Sequence, residues 1–262
     1  MTQPLISVQD LKVHFPIRGG ILGRVTDHVR AVDGVSFGLM PGKTVAIVGE
    51  SGSGKSTTGY AVMGMQDPTV GRILIDGKDR AAMSPTERME TMRRLQIVFQ
   101  DPASALNPRM SAADSIAEPL QIHRIGTARD RRGRVAELLD LVGLPQSSAG
   151  KLPREFSGGQ KQRIVIARAL ALDPQAVICD EAVSALDVSI QSQILNLLLE
   201  LQSRLGLAYI FISHDLSVVR HIADDILVMQ AGKVVEKGPT DSIFHAPQHI
   251  YTRQLLMAVP KL

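Results

Sequence analysis

Gly49-Glu50-Ser51-Gly52-Ser53-Gly54-Lys55-Ser56 is the stretch on which the reading of this chain turns. It matches G-x-x-x-x-G-K-[ST], the pattern of a phosphate-binding loop. Before it, Lys43-Thr-Val-Ala-Ile-Val48 reads as a buried strand rich in β-branched residues. After it, Thr57 to Met65 reads as a helix. Strand, loop, helix is the order the motif requires. The glycines let the backbone curl so that successive N–H groups converge on phosphate oxygens. The start of the following helix adds partial positive charge. Lys55 is expected to reach the β- and γ-phosphates, and Ser56 to set its hydroxyl on Mg2+. Gly49 through Thr57 are the first candidate nucleotide-binding residues.

Outward from the loop, strands and helices alternate. Leu11, Val13 and Phe15 alternate as in a strand, and Val32 to Leu39 leads to the turn at Pro41-Gly42. Gly71-Arg-Ile-Leu-Ile-Asp-Gly77 is a short strand bounded by glycines, and Ile97-Val-Phe-Gln100 ends another. From Ser111 to Leu172 the pattern is helical, with breaks at Gly126, Gly143-Leu-Pro145 and Lys151-Leu-Pro153. Ala176-Val-Ile-Cys179 is an apolar strand ending in Asp180-Glu181. Ile190, Ile194, Leu198, Leu201 and Leu205 form one helical stripe that Gly206 stops. Tyr209-Ile-Phe-Ile212 is a further buried strand, and Ile226 to Gln230 with Lys233 to Glu236 reads as a hairpin around Ala231-Gly232. The pattern predicts an α/β protein, a mostly parallel sheet with helices on both faces. The stretch between Gln100 and Asp180 is too long for a crossover and is read as an inserted helical lobe.

The remaining chemistry gathers at strand ends. A carboxylate at the carboxyl end of a central strand lies where ligands bind in open α/β sheets, so Asp180 is expected to hold Mg2+. Neighbouring side chains at a strand end point different ways, which lets Glu181 face an attacking water as general base. Ser157-Gly158-Gly159-Gln160 opens a helical run, and its hydroxyl and N–H groups make a second phosphate-binding corner. Standing alone, it reads first as an ordinary helix cap with Ser157 as the capping residue. One nucleotide needs one cradle, so a second cradle points to a partner's nucleotide. His214 follows another apolar strand and is placed for a γ-phosphate; Gln100 is placed to sense the metal or the attacking water.

Bulk composition excludes several classes. The chain has 262 residues, 29 basic against 26 acidic, and 3% aromatics with no Trp, which argues against a nucleic-acid surface. Its densest basic run, Arg129-Asp-Arg-Arg-Gly-Arg134, reads as a solvated helix start. A single cysteine, Cys179, rules out an internal disulfide and reads as a buried thiol. No apolar run reaches the roughly 18 residues needed to cross a bilayer, and Met1-Thr-Gln-Pro-Leu5 carries no secretion signal. The expected location is cytoplasmic, with any membrane role exercised by docking.

The phosphate loop, Gln100, Phe156-Ser-Gly-Gly-Gln160, Cys179-Asp-Glu181, Ser184-Ala-Leu-Asp187 and His214 occur in the order of an ABC transporter ATPase subunit, which the chain resembles from about Leu5 to Pro260. The resemblance implies a P-loop NTPase fold of ABC ATPase type: a RecA-like core, an antiparallel β-subdomain and an α-helical subdomain. As one domain over residues 1–262, the core, β-subdomain and tail take 1–100 and 174–262, and the helical subdomain with the signature motif takes 101–173. It further implies ATP with Mg2+, the metal held by Ser56, Gln100 and Asp180, and a head-to-tail dimer with two ATP molecules at its interface. Ser157 and Gly159 would touch the γ-phosphate bound by the opposite chain, Asp187 would link the two sites, and His214 resembles the switch histidine. Phe15 stands where the family stacks an aromatic on adenine, with a core strand aromatic as the other reading.

Val98-Phe-Gln-Asp-Pro-Ala-Ser-Ala-Leu-Asn-Pro108, Arg154-Glu-Phe-Ser-Gly-Gly-Gln-Lys-Gln-Arg163 and the tail Pro247-Gln-His-Ile-Tyr-Thr-Arg-Gln-Leu-Leu-Met-Ala-Val-Pro260 are similar to the peptide/nickel importer branch, with its dipeptide, oligopeptide and glutathione importer ATPases. Ala182-Val183 replaces the usual Pro-Thr and Ile250 the usual Pro; no catalytic group is lost. No cysteine-bearing tail is present, so no iron–sulfur cluster is expected. What this implies is a motor subunit with a second ATPase subunit, identical or paralogous, and two membrane permease subunits. A solute-binding protein outside the membrane would act indirectly, and the motor would sit on the cytoplasmic side of the inner membrane. Asp101 to Met110 would lie in the docking surface. Peptides are the first cargo, with nickel, glutathione and opines as alternatives. A soluble ABC ATPase acting on ribosomes or DNA would carry two cassettes or coiled-coil insertions, and a GTPase would need N-K-x-D, which the chain lacks.

Overall fold

The structure, a computed structural model, describes residues 3–19 and 24–258. Val259 and Pro260, the last residues of the tail resemblance, lie outside the described residues.

In chain order the elements begin with β1 (Ile6–Gly19), β2 (Arg24–Leu39), β3 (Thr44–Val48), α1 (Lys55–Met63), β4 (Val70–Ile75) and β5 (Lys78–Asp79). Next come α2 (Pro85–Arg94), β6 (Leu95–Val98), α3 (Pro102–Ala105), α4 (Ala112–Ile122), α5 (Ala128–Leu141) and α6 (Gly158–Leu170). The chain continues with β7 (Ala176–Asp180), α7 (Val188–Leu205), β8 (Ala208–Ser213) and α8 (Leu216–Ile222). It closes with β9 (Asp225–Gln230), β10 (Lys233–Pro239), α9 (Thr240–His245) and α10 (Ile250–Met257). The α/β class is the expected one. Two compact units divide the chain, Met1–Thr91 with Ala208–Leu262, and Met92–Leu207.

The first unit holds an antiparallel sheet in the order β2-β1-β4-β5. It also holds β3, which pairs in parallel with β8 on one side and β9 on the other. All five residues of β3 and all six of β8 are buried. Such continuous burial is what a strand with both faces covered requires, and it explains why both read as uninterrupted apolar runs. Each buried Val or Ile there contributes about 1.5–3 kcal/mol. The β9–β10 hairpin turns at Ala231 (φ 47°) and Gly232 (φ 83°), two positive φ values as a two-residue type I′ turn demands. Helix α1 packs on β1, β2 and β8, and α8 on β8 and β3.

In the second unit β6 and β7 pair in parallel, and α4, α5 and α6 pack together with α6 also against β6 and α7. Ile116, Leu138, Leu139, Ile178 and Ile194 are among its fully buried side chains.

Several boundaries differ from the sequence reading. Helix α1 starts at Lys55, two residues before the expected Thr57, and stops at Met63 because Gly64 takes a left-handed cap. Strand β6 ends at Val98, so Gln100 stands beyond the strand rather than at its tip. On α7 the stripe is buried at Ile194, Leu198 and Leu201, but Leu205 is 49% exposed at the helix end. The basic run opens α5 as expected, with Arg129, Asp130, Arg132 and Gly133 exposed, while two of its side chains are anchored: Arg131 Nε donates to the Ile125 carbonyl at 2.8 Å, and Arg134 donates to the Leu170 carbonyl at 3.2 Å and to the Asp173 carboxylate.

Candidate functional site

In the first unit, β3 delivers the chain to the phosphate loop at its carboxyl end. Gly49 (φ 151°) and Gly54 (φ 101°) take conformations that favour glycine, and neither has room for a side chain. A Cβ on Gly49 would lie 2.2 Å from the Met229 carbonyl oxygen, and one on Gly54 2.1 Å from that of Ala31. Lys55 is buried and folds back over the loop, its Nζ donating to the carbonyls of Gly49 and Glu50 at 2.8 Å each. The Ser53 hydroxyl is buried inside the loop without a hydrogen-bond partner. Gly54 precedes α1 with no side-chain cap on the helix. A concave loop with a buried orphan hydroxyl, an ammonium group and an uncapped helix start fits a phosphate chain. On the outer rim of the loop the Glu50 amide donates to the Tyr251 hydroxyl at 3.0 Å.

His214 belongs to the same edge. Strands β3 and β8 run in parallel with Val48 opposite Ser213, so Gly49 and His214 leave adjacent strand ends. His214 is exposed. Phe15 lies on β1 opposite Val29 and is 39% exposed, Val29 52%. The core reading of Phe15 is therefore set aside: its ring is available at the surface, while Leu11 and Val13 of the same strand are buried.

In the second unit the same logic places Gln100 beside Glu181. Strands β6 and β7 are parallel with Val98 opposite Cys179. Gln100 Nε2 donates to Glu181 Oε2 at 2.8 Å and to the Ser184 hydroxyl at 3.4 Å, and that hydroxyl donates to the Glu181 carbonyl at 3.0 Å. Asp180 ends β7 and is buried. Glu181 does not continue the strand; its φ is +49°. Its separation from Asp180 thus comes from a backbone turn rather than from strand alternation. Burial pushes the neighbouring Cys179 thiol up to about 12, with the Asp180 charge adding to it, so this cysteine is inert structure.

The corner at Ser157 is a capping box on α6. Ser157 Oγ accepts from the Gln160 amide at 3.3 Å, and Gln160 Oε1 accepts from the Ser157 amide at 3.0 Å. The helix-cap reading of this corner holds, and the cap uses the hydroxyl as acceptor, leaving its proton to donate. Ser157 and Gly158 are exposed, whereas Phe156 before them is buried. Gly159 is buried against α7, where a Cβ would meet Ile190 Cγ2 at 2.6 Å. Asp187 precedes α7, exposed, and its carbonyl accepts from the amides of Ile190 and Gln191 at 2.9 Å each. Among the described residues no three His, Cys, Asp or Glu side chains gather as a metal cage.

Tyr251 and Ser184 were given no role from sequence. Ser184 sits inside a quoted motif and is three residues from Glu181. Tyr251 is 201 positions from Glu50, and no local pattern signals that contact.

The family described as ABC transporter matches residues 32–184. The chain is 52% identical over 258 residues, 98% of its length, to the glutathione import ATP-binding protein GsiA of Escherichia coli K12, and equally to that of Shigella sonnei. It spans 41% of the length of those relatives. Among solved structures it is similar to CbiO1 of Clostridium perfringens, part of an ABC transporter complex (TM-score 0.80, 29% identity, 93% of this chain and 92% of that one). It is also similar to a dimeric ATP-binding cassette in a post-hydrolysis state bound to ADP and Pi (TM-score 0.78, 28% identity, 90% of this chain and 98% of that one).

Proposed function

This chain belongs to the ABC transporter family, and from that premise we propose that it is an ATP-hydrolysing motor subunit of an importer. The observation that carries the proposal is the phosphate loop, with Lys55 folded over it and the Ser53 hydroxyl buried without a partner inside it. Gly49 to Thr57 would bind the triphosphate, and Phe15 would stack on the base. Mg2+ would be held by the Ser56 hydroxyl, the Asp180 carboxylate and the Gln100 amide oxygen, all hard oxygen donors, and would neutralise charge between the β- and γ-phosphates.

Glu181 is the general base. Gln100 donates to it, which holds the carboxylate in one orientation. His214, at the strand end beside the loop, is assigned to the γ-phosphate. Residues 101–173 form the helical subdomain in this reading, and the exposed Ser157 with Gly158, Gly159 and Gln160 serves the nucleotide of a second ATPase subunit, which Asp187 links to its own. Closure is then a population shift, because a γ-phosphate grasped by two chains exists only in the closed pair.

The pair would drive two membrane permease subunits from the cytoplasmic side of the inner membrane, with an external solute-binding protein acting indirectly. The relatives' role in glutathione import supports a peptide-like cargo, glutathione foremost.

Glu181→Gln is expected to lower kcat for ATP by about 100-fold or more and to accumulate a dimer in Mg-ATP, seen by light scattering. Lys55→Ala is expected to lose nucleotide binding. Hydrolysis by Glu181→Gln at the wild-type rate would remove Glu181 as base.

A further inference from the structure

We infer that Tyr251 is a positioning residue for the phosphate loop: its hydroxyl, carried in by the C-terminal helix, fixes the peptide that receives the Lys55 ammonium. The peptide between Gly49 and Glu50 has two polar edges. Its carbonyl accepts from Lys55 Nζ at 2.8 Å. Its N–H donates to the Tyr251 hydroxyl at 3.0 Å. In a trans peptide these edges point in opposite directions and move as one rigid plane. Lysine and tyrosine therefore grip a single plane from its two sides. A rotation that releases the tyrosine also tilts the carbonyl away from the lysine.

The tyrosine is itself fixed. Its side chain is 4% exposed in the first turn of α10. The start of that helix is tied to β10, where the Glu236 carboxylate accepts from the amides of Gln248 at 2.7 Å and His249 at 3.0 Å. His249 Nδ1 then accepts from the Tyr251 amide at 3.2 Å, capping the helix. Strand β10, the turn into α10, the tyrosine and the loop form one chain of bonds inside the first unit. Packing alone would be met by phenylalanine; only the hydroxyl engages the loop peptide. By linkage, whatever orders α10 favours the lysine-holding conformation of the loop, and a ligand on the loop favours a docked α10.

The inference rests on the nucleotide reading of the loop, so the test separates the two. In the full chain, amide hydrogen exchange at Glu50 is measured for wild type and Tyr251→Phe, together with binding of a fluorescent ATP analogue and steady-state hydrolysis. The wild-type Glu50 amide is expected to be protected, and Tyr251→Phe to speed its exchange about tenfold. The same substitution is expected to raise KM for ATP about three- to tenfold with kcat within about twofold. Unchanged exchange and unchanged KM in a folded Tyr251→Phe overturn the inference, as does a fall in kcat alone. Exchange of the wild-type Glu50 amide at the rate of an unfolded chain overturns it without recourse to any variant. Failure of the wild-type chain to bind ATP overturns the nucleotide reading instead, and Glu50 protection then decides the tether by itself.

Discussion

Glu181 stands at φ +49° directly after a strand whose five residues are all buried. A side chain other than glycine in that region costs on the order of 1 kcal/mol and persists where its surroundings hold it. Gln100 and Ser184 supply that hold: one donates to the carboxylate, and the other donates to the carbonyl. Gln100→Ala removes a hydrogen bond to a charged acceptor, worth about 1.5–3 kcal/mol when fully sheltered. Gln100 is exposed, so a smaller effect is expected: kcat falling about tenfold with KM within about twofold, read by steady-state hydrolysis. An unchanged kcat would take Gln100 out of the mechanism. Glu181 and Gln100 were legible because each follows an apolar strand closely in a contiguous motif, whereas Ser184 carried no signal of its own. The backbone turn at Glu181 was not, because strand periodicity says nothing about where a residue leaves the strand.

At the scale of elements, a helix with no buried face could not be read, and neither could α8, which buries Leu216, Val218, Val219 and Ile222 but is too short to show a stripe. The breaks between α4, α5 and α6 fell at the glycines and prolines that the sequence shows. Helix α2 has no buried residue, hence no apolar stripe to announce it. What specifies it is its first turn. Glu87 accepts from the Ser84 amide and hydroxyl at 2.9 Å each and from Lys78 at 3.2 Å. The Ser84 amide, then its hydroxyl, then the Lys78 ammonium draw the Glu87 carboxyl from 4.5 down to about 2. Since the folded value lies below the unfolded one, the contribution to stability is present above about pH 4.5 and is lost as pH falls toward about 2. Thermal melts of wild type and Glu87→Gln should differ most at neutral pH and converge across that acid window. A difference that stays constant with pH would show that Glu87 does not act through its charge.

At the scale of the whole molecule, the fold class followed from one loop and the alternation around it. Beyond the β9–β10 hairpin, the order β9-β3-β8 did not, because β9 and β8 reach β3 from far along the chain and these three strands are each apolar enough to pair with either of the others. Among the described residues no helix is long and apolar enough to cross a membrane. The interior that results closes completely over Cys179, the chain's one cysteine, which has no exposed surface. With its thiol raised from 9.0 to about 12, the reactive thiolate is about a thousandfold scarcer than in an ordinary cysteine. Thiol reagents should therefore leave the native chain untouched and modify it only as β7 opens, so that labelling rates track unfolding across a urea series. Prompt stoichiometric labelling in buffer would contradict that burial. The molecule thus arrives with a built-in clock for its own opening, and any cysteine engineered onto its surface becomes a dye-attachment point with no background to remove.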